Sequence, residues 1–415
     1  MLPEGRAVKY NWLTMPLFDQ VARADRRPRR QNESSFDYMN TSARPGIGAI
    51  RNLLEKWFDQ LPEAAKADIR GRFRDRDDVQ HKSSFYELFW YALLRCSGYD
   101  VEIHPTVANV SANPDFLAGR NGVSQFYLEA TLAMPAGDPA AGRRLAELHD
   151  TLDRMNSPDY FLEFEYRGSP EGNIRGRALR ERLERWLQQL NFEEISRLYQ
   201  DQNHGAIPTF PWSEQGLSLT FSPIPKGPRF RGQPGARPVG AAMPMEMRML
   251  RTHDDIRASL EGKATKYGDL ELPLIVAVNV MDDFCDDDDL WNALFGEEQF
   301  VTIRQHDGQW RDQWGARVPN GAWHGRAGAR NTLVSAVAFT HQLSPSNLRN
   351  RDVDLIHNPC ATHPLPADAF RLSQRTIAMP NGQIHRQDGI SPADLLCIPE
   401  PWPIPDDEKP WLVSR

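Results

Sequence analysis

Lysine is scarce in this 415-residue chain: of 49 basic residues only eight are lysine, at positions 9, 56, 66, 82, 226, 263, 266 and 409, and the rest are arginine. Cysteine is scarcer still. Cys96, Cys285, Cys360 and Cys397 lie far apart with no CxxC pair, which excludes a disulfide frame or a zinc ribbon and leads us to expect reduced thiols in a cytoplasmic protein. No uncharged apolar run approaches the roughly 18 residues of a membrane helix, and Met1 to Arg6 lack the basic and apolar regions of a signal peptide. There is no GxxxxGK[ST] or GxGxxG loop and no GxSxG elbow, so neither nucleotide-cofactor binding nor a serine triad is expected. The net charge of −7 does not exclude nucleic acid, because binding needs only a local basic patch.

What is present fits an ordinary folded protein. Hydrophobic residues make up 40 % and charged residues 25 %, and the length allows two or three core-sized units. Residues 1–80 read as a charged, helical N-terminal region. Ile50, Leu53, Leu54, Trp57, Phe58 and Leu61 recur at helical spacing. The arginines at 70, 72, 74 and 76 interleave with acids and read as a solvated face. Residues 81–290 read as an α/β core interrupted by an insertion at 132–250, and residues 291–415 as a C-terminal region packed on that core. Within the core, Phe85 to Leu94 is apolar all round, so a buried helix is expected, with Gly98 as its stop. Tyr99 to Ile103, Pro114 to Ala118 and Gln125 to Thr131 read as three strands, the last two joined by Gly119-Arg120-Asn121-Gly122. Leu272 to Val280 reads as a strand buried on both faces, preceded by a helix over 253–267.

Three acids stand out by context. Glu87 is the single charge in the buried helix, where a carboxylate is costly unless paired, protonated or bound to metal. Asp115 follows Pro114 at the start of a strand. Glu129 lies in the next strand, with Tyr127 and Thr131, on the face opposite Phe126, Leu128 and Ala130. The hairpin can bring Asp115 and Glu129 side by side, and converging carboxylates suit a hard divalent cation, Mg²⁺ or Mn²⁺. Such an ion polarises a phosphodiester and lowers the pKa of a bound water. The pairing of Glu87 with an arginine such as Arg95 is the competing structural account.

Pro114-Asp115, thirteen intervening residues, then Glu129-Ala130-Thr131, preceded by a helix with one acid, resembles the PD-(D/E)XK motif of restriction-endonuclease-like nucleases over roughly residues 83–131 and 252–281. The wider arrangement is also similar to uncharacterised bacterial proteins sharing this core. The resemblance implies that Asp115 and Glu129 hold the metal and that Glu87 adds a direct or water-mediated ligand. It also implies a lysine two residues after Glu129, where this chain has Thr131. The family can relocate that lysine onto a neighbouring helix, and Lys263 and Lys266 lie on one. At about 100° per residue, Leu260, Ala264 and Tyr267 share a stripe with Ile256; Lys263 borders it and Lys266 lies further towards solvent. Lys263 is the better substitute.

The expected activity is therefore metal-dependent phosphodiester hydrolysis, of DNA in the first instance, with a defence role by analogy and with a homodimer compatible with the sequence. Lys226, Arg229, Arg231, Arg237, Arg248 and Arg251, set against a single acid, Glu246, form the expected nucleic-acid patch, with the arginines of 23–30 second. The alternatives are a catalytically inactive nucleic-acid-binding or scaffold protein on the same fold, and a metal enzyme acting on another phosphorylated substrate. Asp286 to Asp289 is expected to start a helix, without Ca²⁺, and His357, Cys360 and His363 to lie in a loop without zinc.

Overall fold

The computed structural model describes residues 15–107, 112–135, 137–232, 238–244, 252–268, 270–282, 285–304, 310–378 and 382–405. The chain divides into two compact units, one built from 1–27, 34–135 and 251–415 and the other from 28–33 and 136–250.

The first unit is a mixed α/β structure. Helices α1 (Ser35–Thr41), α2 (Pro45–Asp59), α3 (Glu63–Phe73) and α4 (Asp78–Cys96) precede strands β1 (Asp100–Ile103), β2 (Phe116–Arg120) and β3 (Val123–Ala133). Residues 15–34, expected to be helical, carry no helix. Asp77 caps α4 by accepting from the Val79 N–H, and the chain leaves the helix through Gly98 at φ +85, a left-handed value that suits glycine. Between β2 and β3, Asn121 and Gly122 both have positive φ (53° and 77°), the backbone of a tight hairpin whose twist matches its strands.

The second unit holds α5 (Pro139–Leu152), β4 (Tyr160–Arg167), α6 (Gly176–Gln189), α7 (Phe192–Gln200), β5 (Phe210–Glu214), β6 (Leu217–Pro225) and β7 (Val239–Pro244). Its sheet runs β5-β6-β4-β7. Leu162, Phe164, Leu219 and Phe221 from that sheet pack with Leu148, Leu152, Leu179 and Leu183 in a core of its own. The alternation in β4 and β6 and the 3.6-residue spacing in α5 and α6 produce one apolar face on each element, and these faces meet.

The chain then completes the first unit with α8 (Thr252–Ala264), β8 (Leu274–Val280), α9 (Asp287–Phe295), β9 (Glu298–Arg304), β10 (Trp310–Arg317), the short β11 (His324–Gly325) and β12 (Gly328–Ala329), β13 (Val334–His341), β14 (Asp354–His357), β15 (Ser373–Ala378), β16 (Gln383–Gln387) and α10 (Pro392–Leu395). The main sheet has the order β1-β2-β3-β8-β13-β14-β15-β16. β1, β2 and β3 form an antiparallel meander, and β8 lies parallel to both β3 and β13. All seven residues of β8 are buried, as a strand covered on both faces requires. Ile275 and Ala277 face a large cluster with Leu88, Phe89, Phe126 and Leu128. Leu274, Val276 and Val278 face the opposite cluster with Ile256, Leu260 and Leu294. Residues 291–415 were expected to pack against the core; they supply four of its eight strands instead. Asp286 and Asp289 form a reciprocal capping box at the start of α9, which accounts for the acidic run without an ion.

Candidate metal centre

Register builds the site. Phe116 pairs with Leu128 across the β2–β3 hairpin, so Asp115, one residue earlier, stands opposite Glu129. The two exchange contacts through the backbone: the Asp115 N–H donates to Glu129 Oε2 at 3.2 Å, and the Ala130 N–H donates to Asp115 Oδ2 at 2.8 Å. Glu129 is 1 % exposed, whereas Asp115 keeps part of its surface open to solvent. Burial among protein atoms, then the Glu129 charge, then that of Glu87, push the Asp115 carboxyl well above the usual carboxylate range. Two like charges this close cannot both ionise cheaply in a dry site.

The positive charge comes from the other cluster's side of the sheet. Ile256, Leu260 and Ala264 seat α8 on β3 and β8, which brings Lys263 Nζ to 2.5 Å from Glu129 Oε1. Lys266 Nζ reaches the same oxygen at 3.3 Å. α8 ends at Ala264, three residues earlier than the spacing predicts, so Lys266 belongs to the turn that follows. Both lysines thus converge on Glu129, with Lys263 the nearer. Thr131 lies in β3 opposite Val278.

Glu87 is committed elsewhere. Arg72 Nη1 and Nη2 take its two carboxylate oxygens at 2.6 and 2.7 Å, a bidentate pair. Arg95, the expected partner, binds the Tyr99 carbonyl and Asp100. Packing of α3 against α4 turns Arg72 inward, so the arginine cluster at 70–76 is only partly a solvated face. Glu87 contributes charge to the site but no oxygen free of Arg72.

Of the expected basic patch, Lys226 is turned inward. Lys226 is 3 % exposed; its ammonium donates to the Ser157 carbonyl at 2.5 Å and sits 4.9 Å from the Phe161 ring centroid, and burial pushes its pKa down. It is a structural cation, because β6 ends there with its side chain pointing into the insertion. Arg231 pairs with Asp159 at 2.7 Å and stacks on Phe192. Arg229 is exposed, and Arg237, Arg248 and Arg251 lie outside the described residues. Lys226→Met should cost about 1 kcal/mol, the scale of one buried hydrogen bond, and leave DNA retention in a gel shift unchanged; weakened retention at equal stability would return Lys226 to the surface.

A second group escaped the sequence reading. His253, Asp254 and Glu297 each offer one ligand atom, all within 4.8 Å of one another, and can hold a metal ion. His253 Nδ1 lies 3.6 Å from Asp289 Oδ1, while Arg257 already donates to Asp254 at 2.9 Å. The spacing 253, 254, 289, 297 crosses three elements, so nothing local signals it. Thr252 to Asp255 reads only as a helix start. His357, which tempts a zinc assignment, is hydrogen-bonded to Gln374 at 2.7 Å.

No helix among the described residues is long and apolar enough to cross a membrane. Compared with protein-family models, with curated proteins and with solved structures, the chain matches none.

Proposed function

We propose that this protein hydrolyses phosphodiester bonds with a divalent metal, Mg²⁺ or Mn²⁺, at Asp115 and Glu129, on a restriction-endonuclease-like core made of α4, β1 to β3, α8 and β8. One observation carries the reading: the Glu129 carboxylate in β3 accepts both the backbone N–H of Asp115, just before β2, and the Lys263 ammonium from α8, although 134 residues separate Glu129 from Lys263. The donor set suits a hard cation, being carboxylates without sulfur or imidazole. Burial first, and then the Glu129 and Glu87 charges, disfavour the Asp115 carboxylate; a divalent cation would offset that by favouring the ionised form. When bound, the ion would polarise the phosphate and acidify a water.

Asp115 and Glu129 would hold that ion. Lys263, 2.5 Å from Glu129, would orient the attacking water and stabilise the charge gathering on phosphorus, the duty of the residue that Thr131 cannot perform. Lys266 is the second cation within reach. The substrate we favour is DNA, contacted through exposed arginines such as Arg229.

A second reading has its own support. Glu87 is paired with Arg72, and Glu129 with Lys263 and Lys266, so both acids already have cationic partners within the protein. That pairing also suits a catalytically silent, nucleic-acid-binding scaffold. Incubating plasmid with the full-length protein and Mg²⁺ or Mn²⁺ separates the two. Nicking is expected from the parent, with a loss of about 10²–10³-fold in Asp115→Ala and Lys263→Ala and a smaller loss in Lys266→Ala. An inert parent, or equal nicking by Asp115→Ala, would overturn the nuclease reading.

A further inference from the structure

Tyr267 follows Lys266 directly and is 1 % exposed. Its ring belongs to the cluster beneath α8, with Leu260, Leu270 and Val276. A phenol in such surroundings ordinarily gives its O–H to an acceptor. Here the buried hydroxyl completes no well-formed hydrogen bond, although the Glu129 carboxylate stands next to it. The Lys266 ammonium sits 5.1 Å from the ring centroid, so the aromatic face borders the same centre.

The hydroxyl competes for its acceptor with stronger, charged donors. Glu129 Oε1 takes both lysines and Oε2 takes the Asp115 N–H. A divalent cation changes that competition, because it repels the two ammonium groups while leaving a neutral donor untouched. Glu129 would then lose two charge-assisted partners and need a replacement that carries no charge. A buried phenol that stays protonated meets that need.

We propose that Tyr267 is a positioning residue for Glu129: its hydroxyl donates to the Glu129 carboxylate once a divalent cation has displaced the lysines, and so fixes that carboxylate as a ligand. The proposal rests on the metal site argued above. It explains why a polar group costly to bury is retained at a position where phenylalanine would fill the same volume.

The test is Mn²⁺ binding by full-length protein, followed by the paramagnetic signal of the free ion. All proteins carry His253→Ala, so that the second cluster contributes nothing. Tyr267→Phe is expected to weaken Mn²⁺ about tenfold, the usual scale for removing a group that orients a ligand, with an unfolding temperature equal to or above that of the parent. Asp115→Asn is expected to abolish binding. Equal affinity of Tyr267→Phe and parent overturns the role of Tyr267 and leaves the metal site standing, provided Asp115→Asn has lost the ion. A fall in both affinity and unfolding temperature also overturns it, since that is the mark of a packing role. Absence of Mn²⁺ binding with Asp115 and Tyr267 intact, or binding that survives Asp115→Asn, removes the metal site and this inference together.

Discussion

Asp115→Asn should unfold at a higher temperature than the parent protein at neutral pH while losing about 10²–10³-fold in metal-dependent cleavage. The folded chain raises the Asp115 carboxyl's pKa, through burial and the neighbouring charges of Glu129 and Glu87. At a pH below the ordinary carboxylate value, folded and unfolded chains both carry the proton and nothing is lost. As pH rises from there, the unfolded chain ionises first, so the folded state binds the extra proton and stability falls with pH until the raised value is passed. The asparagine has no such penalty and can still accept the Ala130 N–H. Its advantage should therefore be absent in acid, grow as pH rises past the ordinary carboxylate value and level off only above the raised one, exceeding about 1.4 kcal/mol, the equivalent of one pKa unit. Thermal melts of both proteins across pH 3–9 check this. A constant or shrinking advantage with rising pH would show that Asp115 is not held protonated. The same proton must leave before a cation binds, so metal affinity should climb with pH in the parent.

Arg72→Met is the second large effect, and it concerns stability. It leaves Glu87 without the guanidinium that takes both its oxygens, inside a helix whose neighbouring residues are apolar and buried. Breaking a buried pair from one side costs about 3–5 kcal/mol. Arg72 keeps a quarter of its side-chain surface in water, so water relieves part of the loss and about 2–3 kcal/mol is expected. Glu87→Gln added to Arg72→Met should recover most of it, because the uncompensated charge has gone while the volume remains. Urea midpoints for the two single variants and the double variant complete the cycle. If Arg72→Met shifts the midpoint no more than an exposed arginine substitution does, the pair is not what holds α3 to α4.

How much of this was legible follows from how local each signal is. The β2–β3 hairpin was readable because Asn121-Gly122 dictates its turn and alternation dictates its faces; together they place Asp115 opposite Glu129. Lys263 was readable because the apolar stripe of α8 fixes which way that helix rolls. Lys266 is the more exposed of the two lysines, as the rotation implies, and it still reaches Glu129 from the turn after Ala264. The partner of Glu87 was not readable: choosing Arg72 over Arg95 requires knowing how α3 lies on α4, which no periodicity records. Lys226 misled for the converse reason. Proline and glycine around it suggest an open loop, but the strand before it carries the residue inward. The C-terminal region reads as containing strands, but the four are not placed individually, because short strands between proline-rich connections leave little pattern. The His253 group joins separate elements and has no spacing to find.

The parallel pairing of β3 with β8 has a consequence for the order of events during synthesis. Leu274 is registered with Tyr127, 147 positions apart, and the insertion lies between them. Chain made as far as β3 already carries the two acids, with no ammonium group to balance them. The insertion, with a core of its own, can fold while the strand waits. Only when α8 and β8 emerge does the centre acquire its lysines, and β8 gains its second neighbour, β13, later still. A chain interrupted before residue 252 would therefore carry a pair of uncompensated carboxylates on an exposed strand edge. The unpaired edge of such a fragment makes it a candidate for clearance or aggregation.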